Sequence, residues 1–264
     1  MDTKALRKGY LDGPWGQIHY YEQGPGEPLV LLHQSPVCAR MFERAMPHLA
    51  AAGLRAIAVD TPGYGNSDVP PHPPAIEDYA DCLHAVLDGL GLASAHILGH
   101  HTGAMIAGSF AARNPGRVRS LILNGTPIFT PKELEVFAGI EHKPKPLRAD
   151  GSHLQEAWER RLFYSAGWRD VAAMHRRLVD ELWAGDTSWY GHHAAFAYDV
   201  TNDLEAITVP TLLLTNTGDD IYHLAKVAHR LRPDFTYAEL IGGTHDIVDE
   251  QPEEWSAAVA NFIL

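Results

Sequence analysis

Short apolar runs alternate with longer amphipathic stretches along most of this chain. Residues 29–32, 95–98 and 211–214 are short apolar runs, which are typical of strands buried on both faces. Residues 75–90 carry apolar side chains at helical spacing, and residues 252–262 do so after a proline in the first turn. Strands that alternate with helices predict βαβ units and a mostly parallel sheet, and hence an α/β fold. The same patterns predict further strands at residues 17–23, 55–60, 121–123 and 235–240, and further helices at residues 41–52, 101–113 and 221–231.

The strand pattern stops near the middle of the chain and resumes only close to the last quarter. Within this stretch apolar side chains recur four residues apart, as at Leu154, Trp158 and Leu162, which indicates helices. We therefore predict a helical cap at residues 130–208. This cap would be inserted into a core domain formed by residues 1–129 and 209–264.

Composition and charge narrow the set of partners. The 264 residues include 21 basic and 33 acidic side chains, for a formal net charge of −12. A surface this acidic repels phosphate backbones, so we expect no nucleic-acid partner. No apolar run is long enough to cross a bilayer, residues 1–10 lack the apolar core of a signal peptide, and two cysteines are too few for a disulfide framework. These features predict a cytoplasmic protein that acts on a small molecule without a membrane partner, and they leave its oligomeric state open.

Candidate chemistry lies in the segments that follow the predicted strands, because ligands of an open α/β sheet bind beyond the carboxyl ends of its strands. Four such segments are rich in polar residues, at 33–36, 99–103, 219–220 and 242–245. Residues 99–103, Gly-His-His-Thr-Gly, connect a predicted strand to a predicted helix, which is the geometry of a nucleophile elbow. The two glycines allow a sharp turn, and the middle residue, His101, would be raised above the sheet.

In their order along the chain these segments resemble the motifs of the α/β-hydrolase superfamily, and the resemblance covers nearly the whole sequence. Residues 33–36 are similar to the family's His-Gly-x-Pro oxyanion loop, and residues 60–68 to its Asp-x-Pro-Gly-x-Gly-x-Ser-Asp loop. Residues 217–220 lie where the family has its Gly-x-x-Asp acid segment. Residues 242–253 resemble its terminal segment, Gly-x-x-His followed by Pro-Glu.

The resemblance implies an α/β-hydrolase fold with a mostly parallel eight-stranded sheet, flanking helices and a helical cap. It implies that Asp220 is the catalytic acid and His245 the catalytic histidine. The backbone N–H groups of Ser35 and Thr102 would form an oxyanion hole. The X-Pro step in this tight loop further predicts a cis peptide bond between Ser35 and Pro36.

Two residues depart from the family's pattern. Gln34 replaces a glycine of the oxyanion loop, and His101 stands where the family has Ser, Asp or Cys. His101 therefore excludes ordinary serine-hydrolase chemistry and also the aspartyl-ester chemistry of dehalogenases and epoxide hydrolases. The expected oxyanion hole does not depend on this replacement, because a preorganised pair of N–H donors stabilises an oxyanion whichever residue occupies the elbow.

The leading hypothesis is a hydrolase of a small carbonyl compound, in which an ester, lactone, amide or C–C bond is cleaved. His245, held by Asp220, would activate water, and His101 would position the substrate, share the proton or attack covalently. One alternative is a cofactor-free lyase, decarboxylase or isomerase that uses the same histidines for proton transfer. Others are a non-catalytic binding protein and a metal site of the two histidines and a carboxylate. We expect neither a cofactor nor a metal, since no HExxH-like spacing is present.

For several further polar or aromatic residues near the predicted site, a structural role is an alternative to a functional one. His33 is expected to brace its loop, and His100 to pack beside the elbow. Asp219 could be only a helix cap, or it could exchange roles with Asp220. Asn124 is interpreted as a turn residue from which the site could still be reached. The pocket wall could include two side chains of the cap, Tyr190 and His193.

Overall fold

The computed structural model describes residues 5–140 and 142–264. Within them the chain forms one eight-stranded sheet in the spatial order β1-β2-β4-β3-β5-β6-β7-β8. The strands are Arg7–Gly13 (β1), Gly16–Gln23 (β2), Glu27–Leu32 (β3), Leu54–Val59 (β4), Ala95–His100 (β5), Val118–Asn124 (β6), Thr211–Asn216 (β7) and Thr236–Leu240 (β8). Only the β1–β2 and β2–β4 pairs are antiparallel, which confirms the predicted α/β fold with its mostly parallel sheet. The expectation about a signal peptide falls partly on residues 1–4, which lie outside the described residues.

The helices follow the predicted pattern with one difference. They are Met46–Ala51 (α1), Ile76–Gly89 (α2), Thr102–Arg113 (α3), Pro131–Ala138 (α4), Ser152–Tyr164 (α5), Val171–Trp183 (α6), Tyr190–Phe196 (α7), Thr201–Ala206 (α8), Tyr222–Leu231 (α9), Ile247–Glu250 (α10) and Pro252–Ile263 (α11). The single helix predicted at residues 41–52 is instead a 3₁₀ turn, Ala39–Phe42, followed by α1. Pro47 in the first turn of α1 explains the break, because proline favours a helix start and has no N–H for a helix interior.

Two apolar layers cover the two faces of the sheet. The residues of β3 after Glu27 are buried, as a strand in the middle of a parallel sheet requires. Val30 and Leu32 pack with side chains of α2 and α3, whereas Leu29 and Leu31 pack with side chains of α1 and α11. This alternation fixes the sheet between two helical layers, and it leaves the carboxyl ends of the strands for the polar loops.

Helices α4–α8, at residues 131–206, follow one another between β6 and β7, and we call them the helical insertion. Trp183 Nε1 donates to Gly65 O at 2.7 Å, and Thr187 Oγ1 donates to Gly63 O at 2.8 Å. The insertion therefore rests on the loop that follows β4, at the carboxyl edge of the sheet. The helical content predicted for residues 130–208 is observed, while the division of the chain into a core domain and a cap domain stays a prediction. Across the described residues, no helix is long and apolar enough to span a membrane.

Candidate active site

The segment between β5 and α3 forms the predicted strand-to-helix elbow. A Cβ added at Gly99 would lie 1.9 Å from Gly103 O, and one added at Gly103 would lie 2.2 Å from Leu32 O, so both positions require glycine. His101, between them, has φ 50° and ψ −113°, and it is the one non-glycine residue of the described chain with a positive φ. Strained backbone of this kind costs about 1–3 kcal/mol and is concentrated at functional sites.

His101 is paired with a buried carboxylate. Its Nε2 lies 2.9 Å from Asp219 Oδ2, and the side chain of Asp219 has no exposed surface. Burial alone would lower the pKa of His101, but the charge and the hydrogen bond of Asp219 outweigh it and raise this pKa above its ordinary value. Burial would likewise raise the pKa of Asp219, and the charge of His101 instead holds it well below its ordinary value. The two residues form a His–Asp pair at the elbow.

The predicted contact between Asp220 and His245 is wrong. Asp220 is exposed, and the buried carboxylate of this loop belongs to Asp219. The reason lies in the turn after β7, where Asp219 N donates to Asn216 O and Asp219 Oδ1 accepts from Ile221 N. These bonds direct the side chain of Asp219 inward. Asp219 thus supplies the buried carboxylate of this loop, but its partner is His101 rather than His245. The choice of Asp219 or Asp220 as the catalytic acid stays a prediction.

His245 lies opposite His101, with the two ring centroids 6.3 Å apart, but both of its ring nitrogens are occupied. Nδ1 donates to Tyr164 O at 3.1 Å, and Nε2 accepts from the guanidinium of Arg161. Burial lowers the pKa of His245, and the charge of Arg161 lowers it further against the opposing effect of Asp246. His245 is therefore a neutral imidazole held by α5 of the helical insertion.

Arg161 is a site residue that sequence reasoning missed. Its side chain is only 7% exposed, and Nη2 also donates to Asp246 Oδ2 at 2.8 Å. In the sequence nothing distinguishes it from Arg160, which lies on the same helix and pairs with Glu181 away from the elbow. The contact with His245 joins positions 84 residues apart, so no local pattern could have indicated it.

His100 supports the site as a packing neighbour, as expected. Its ring stacks on that of His101 with centroids 4.4 Å apart, and its Nε2 donates to His245 O at 2.8 Å. Burial lowers the pKa of His100 to about 3, so the ring is neutral at neutral pH. His100 thus ties the loop of His245 to the elbow.

The loop after β3 is braced as the sequence predicted. His33 Nδ1 donates to Gln34 O at 2.9 Å, and His33 Nε2 accepts from Thr61 N at 3.0 Å. Burial lowers the pKa of His33, which keeps this neutral arrangement. The peptide bond between Ser35 and Pro36 is cis, which confirms that prediction. Gln34, which replaces the family's glycine, is buried at 5% exposure.

Helix α3 begins at Thr102, immediately after His101. The first N–H groups of a helix have no partner within it, and the helix dipole places partial positive charge there. Thr102 is buried, so these groups act in a low-dielectric environment. The arrangement can stabilise negative charge on an atom bound next to His101. The pairing of Thr102 and Ser35 as an oxyanion hole stays a prediction.

Three lesser candidates are Asn124, His193 and Tyr190. Asn124 is not a turn residue but the last residue of β6, where its amide accepts from Trp255 Nε1 at 2.7 Å and donates to Leu214 O at 3.2 Å. Both ends of its side chain are therefore used in buried hydrogen bonds, which gives Asn124 a structural role. His193 is exposed on α7 and packs against Trp189. Tyr190, on the same helix, is half-buried, and its place in a pocket wall stays a prediction.

A metal centre made by the two histidines was one of the alternatives. Among residues 5–140 and 142–264, no three His, Cys, Asp or Glu side chains are grouped so that they could hold a metal ion. The acidic groups near His101 and His245 are instead taken up by hydrogen bonds and ion pairs, as at Asp219 and Asp246.

The sheet order, the elbow and the histidine after β8 together define an α/β-hydrolase arrangement. A family model described as the alpha/beta hydrolase fold matches residues 27–235, and the chain belongs to this family. It is thus a member of the hydrolase superfamily of enzymes.

Similar proteins fall in the same family. A non-heme chloroperoxidase of Streptomyces lividans is 28% identical over 93% of this chain and 95% of its own length. A 2-hydroxy-6-oxononadienedioate/2-hydroxy-6-oxononatrienedioate hydrolase of Pseudomonas putida is 41% identical over 46% of this chain. The match covers 43% of the latter protein, and several curated relatives are matched over less than half of their length. An epoxide hydrolase structure from an endophytic Streptomyces has a TM-score of 0.81 at 22% identity, covering 98% of this chain and 96% of that one, which shows the fold alone.

Proposed function

We propose that this protein hydrolyses a small carbonyl compound and that the pair of His101 and Asp219 is its general base. The observation that carries the proposal is the 2.9 Å contact between His101 Nε2 and Asp219 Oδ2 at the elbow. This contact places the ring proton on Nε2 and leaves Nδ1 as the basic atom. A carboxylate that holds the imidazole in one tautomer also stabilises the imidazolium that forms when the base takes a proton.

The reaction follows from this arrangement. His101 Nδ1 takes a proton from a water molecule, and the resulting hydroxide forms a bond to the substrate's carbonyl carbon. The carbonyl electron pair moves to oxygen, and the N–H groups of Thr102 and Ser35 would donate hydrogen bonds to the resulting oxyanion. As the tetrahedral intermediate collapses, the bond to the leaving group breaks, and the imidazolium of His101 returns its proton to that group. Ester, lactone, amide and activated C–C bonds are all cleaved by this sequence.

His101 is a better base than His245 in this site. Both ring nitrogens of His245 are bonded to the helical insertion, and its pKa is lowered. The pKa of His101 is raised instead, which strengthens it as a proton acceptor. We assign His245 a positioning role beside the substrate, and we assign the helical insertion the role of a cap over the site.

One of the named relatives supports a carbonyl substrate. The Pseudomonas putida relative is named as a hydrolase of an oxo-dioate, which is a carbonyl compound. The chain spans less than half of that protein, so we carry over the substrate class and not the substrate. The Streptomyces lividans relative is named as a chloroperoxidase and does not bear on the bond that is cleaved.

Turnover of p-nitrophenyl esters by His101 variants tests the proposal. A general base contributes about 10²–10⁴-fold, so His101→Ala should lose activity by that factor. His101→Gln should do the same, because an amide cannot take the proton. Intact-protein mass spectrometry during turnover should show no acyl adduct on the wild-type chain. An adduct on His101 would make it a covalent nucleophile, and wild-type turnover by His101→Ala would place the catalytic site elsewhere.

A further inference from the structure

Arg161 projects from α5 of the helical insertion and contacts His245, whose ring lies opposite that of His101. Its Nε donates to Ser165 Oγ at 3.2 Å, and its Nη2 donates to Asp246 Oδ2 at 2.8 Å and to His245 Nε2. With 7% of the side chain exposed, the guanidinium is nearly removed from solvent. A buried cation at this depth requires compensating charge or a functional reason.

A second arginine already forms an ion pair between the helical insertion and α10. Arg177, on α6, contacts Asp249 Oδ2 at 3.1 Å and Asp180 Oδ2 at 3.3 Å, so two carboxylates face it at close range. Among the described residues, Arg161 has one carboxylate, Asp246, at such a distance. Its other site contact is with the ring of His245, which is neutral and therefore does not compensate the charge of Arg161. The positive charge of Arg161 is therefore less fully paired than that of Arg177.

Part of the guanidinium also has unused hydrogen-bonding capacity. An arginine carries five N–H donors in one plane, and the contacts above involve Nε and Nη2. Within the described part of the chain, no hydrogen bond uses Nη1. A planar donor group of this kind matches the two oxygens of a carboxylate better than any other common partner.

We infer that Arg161 binds a carboxylate group of the substrate, so that the proposed hydrolase acts on carbonyl compounds that carry an acidic group. The inference rests on the proposed function and deepens it. The rings of His101 and His245 are 6.3 Å apart, and the guanidinium touches the second ring. A small acid can therefore place its carbonyl at His101 and its carboxylate at Arg161.

Because the protein as a whole is acidic, an anionic substrate can bind only where a local cation offsets the repulsion. The net charge of −12 repels anions at long range, and Asp219 and Asp220 place further negative charge next to the elbow. An acidic substrate would bind here only if a desolvated cation met it inside the site, where charges interact far more strongly than in water. Arg161 meets this requirement through its position on α5.

The inference is tested with two esters of equal chain length, p-nitrophenyl hydrogen glutarate and p-nitrophenyl pentanoate. The wild-type protein should favour the acidic ester in kcat/KM by about tenfold to hundredfold, the range expected for one charged hydrogen-bonded pair. Arg161→Gln should reduce this ratio to about one; the ratio is the readout, because loss of the Arg161 contact with His245 changes turnover of both esters alike. Arg161→Lys should keep part of the preference. Arg160→Gln, one residue away on the same helix, should keep all of it.

A binding measurement separates this inference from the proposed function. By calorimetry, glutarate should bind to the wild-type protein and to Arg160→Gln, and its affinity for Arg161→Gln should fall about tenfold or more. Glutarate binding without ester turnover would support the acid site and reject the proposed hydrolysis. Ester turnover with no preference for the acidic ester, or with a preference unchanged in Arg161→Gln, would overturn the inference and leave the hydrolysis in place. Circular dichroism of each variant confirms that it is folded.

Discussion

Asp219, and not its neighbour Asp220, supplies the carboxylate that meets the elbow histidine: its Oδ2 lies 2.9 Å from His101 Nε2. In the family's motifs, as they align with this chain, the acid would orient His245. Here His245 is bound by Arg161 and Tyr164 of the helical insertion instead. The carboxylate thus contacts the residue that occupies the elbow itself, and in the proposed mechanism these two residues together form the base.

The first prediction concerns the choice of carboxylate. Asp219→Asn should lower kcat by about 10²–10⁴-fold, because the imidazole loses the charge that stabilises its protonated form. Asp220→Asn removes the same charge from the adjacent, exposed position, and we expect an effect of less than about threefold there. Steady-state kinetics on a p-nitrophenyl ester measures both. The opposite order of effects would assign the base to the pair of Asp220 and His245.

A second prediction is the pH dependence of kcat/KM. His101 must be neutral to act as a base, and Asp219 raises its pKa above the ordinary value of 6.5. Activity should therefore fall as the pH is lowered through a midpoint above 6.5. In the residual activity of Asp219→Asn this midpoint should move to lower pH, since the charge that favours the imidazolium is gone. A wild-type midpoint below 6.5 would argue against His101 as the base.

The third prediction uses Gly125, which follows β6 at φ 62°. A Cβ added there would lie 2.5 Å from His101 Cδ2 and 3.0 Å from Asp219 Oδ2, so Gly125→Ala must displace the pair. We expect a loss of activity of about tenfold or more, as is typical when catalytic groups are misplaced.

Gly91→Ala is the matched control, because it introduces the same kind of backbone strain without the clash. Gly91 has φ 67°, and an added Cβ would meet no atom within 4 Å. Gly91→Ala should lose about 1–2 kcal/mol of unfolding free energy from the strained backbone and Gly125→Ala at least as much, which urea denaturation measures. Only Gly125→Ala should lose activity. Equal activity of the two variants would show that the position of His101 tolerates displacement.

The fourth prediction concerns acid stability. Burial lowers the pKa of His100 to about 3, whereas in the unfolded chain it should be near 6.5. Between these values the unfolded state binds a proton that the folded state does not, so stability falls as the pH drops below 6.5. At about pH 5 this single residue should cost about 2 kcal/mol relative to pH 7.

Replacing His100 tests this assignment. His100→Gln should reduce the loss of unfolding free energy between about pH 7 and pH 5 by about 2 kcal/mol, as measured by urea denaturation. His48→Gln, at an exposed position of α1, should keep the wild-type loss. An unchanged pH dependence in His100→Gln would mean that this ring is not the group that titrates.

The sequence by itself determined the fold and the place of the site. The apolar run at residues 29–32 predicts a strand buried on both faces, and the structure has it in the middle of the sheet. Gly99 and Gly103 predict the elbow because only glycine permits the close approach of β3, β5 and α3. These features could be predicted because their signals, a short apolar run and two glycines four residues apart, lie within short segments of the sequence.

Only the tertiary structure decided which side chains act together. Asp219 and Asp220 are identical in chemistry, and the turn after β7 directs one of them toward His101. Arg160 and Arg161 are equally indistinguishable in the sequence, yet the packing of α5 places one against Glu181 and the other against His245. Side chains that neighbour each other along a chain point in different directions, and only the packed elements fix which direction leads into the site.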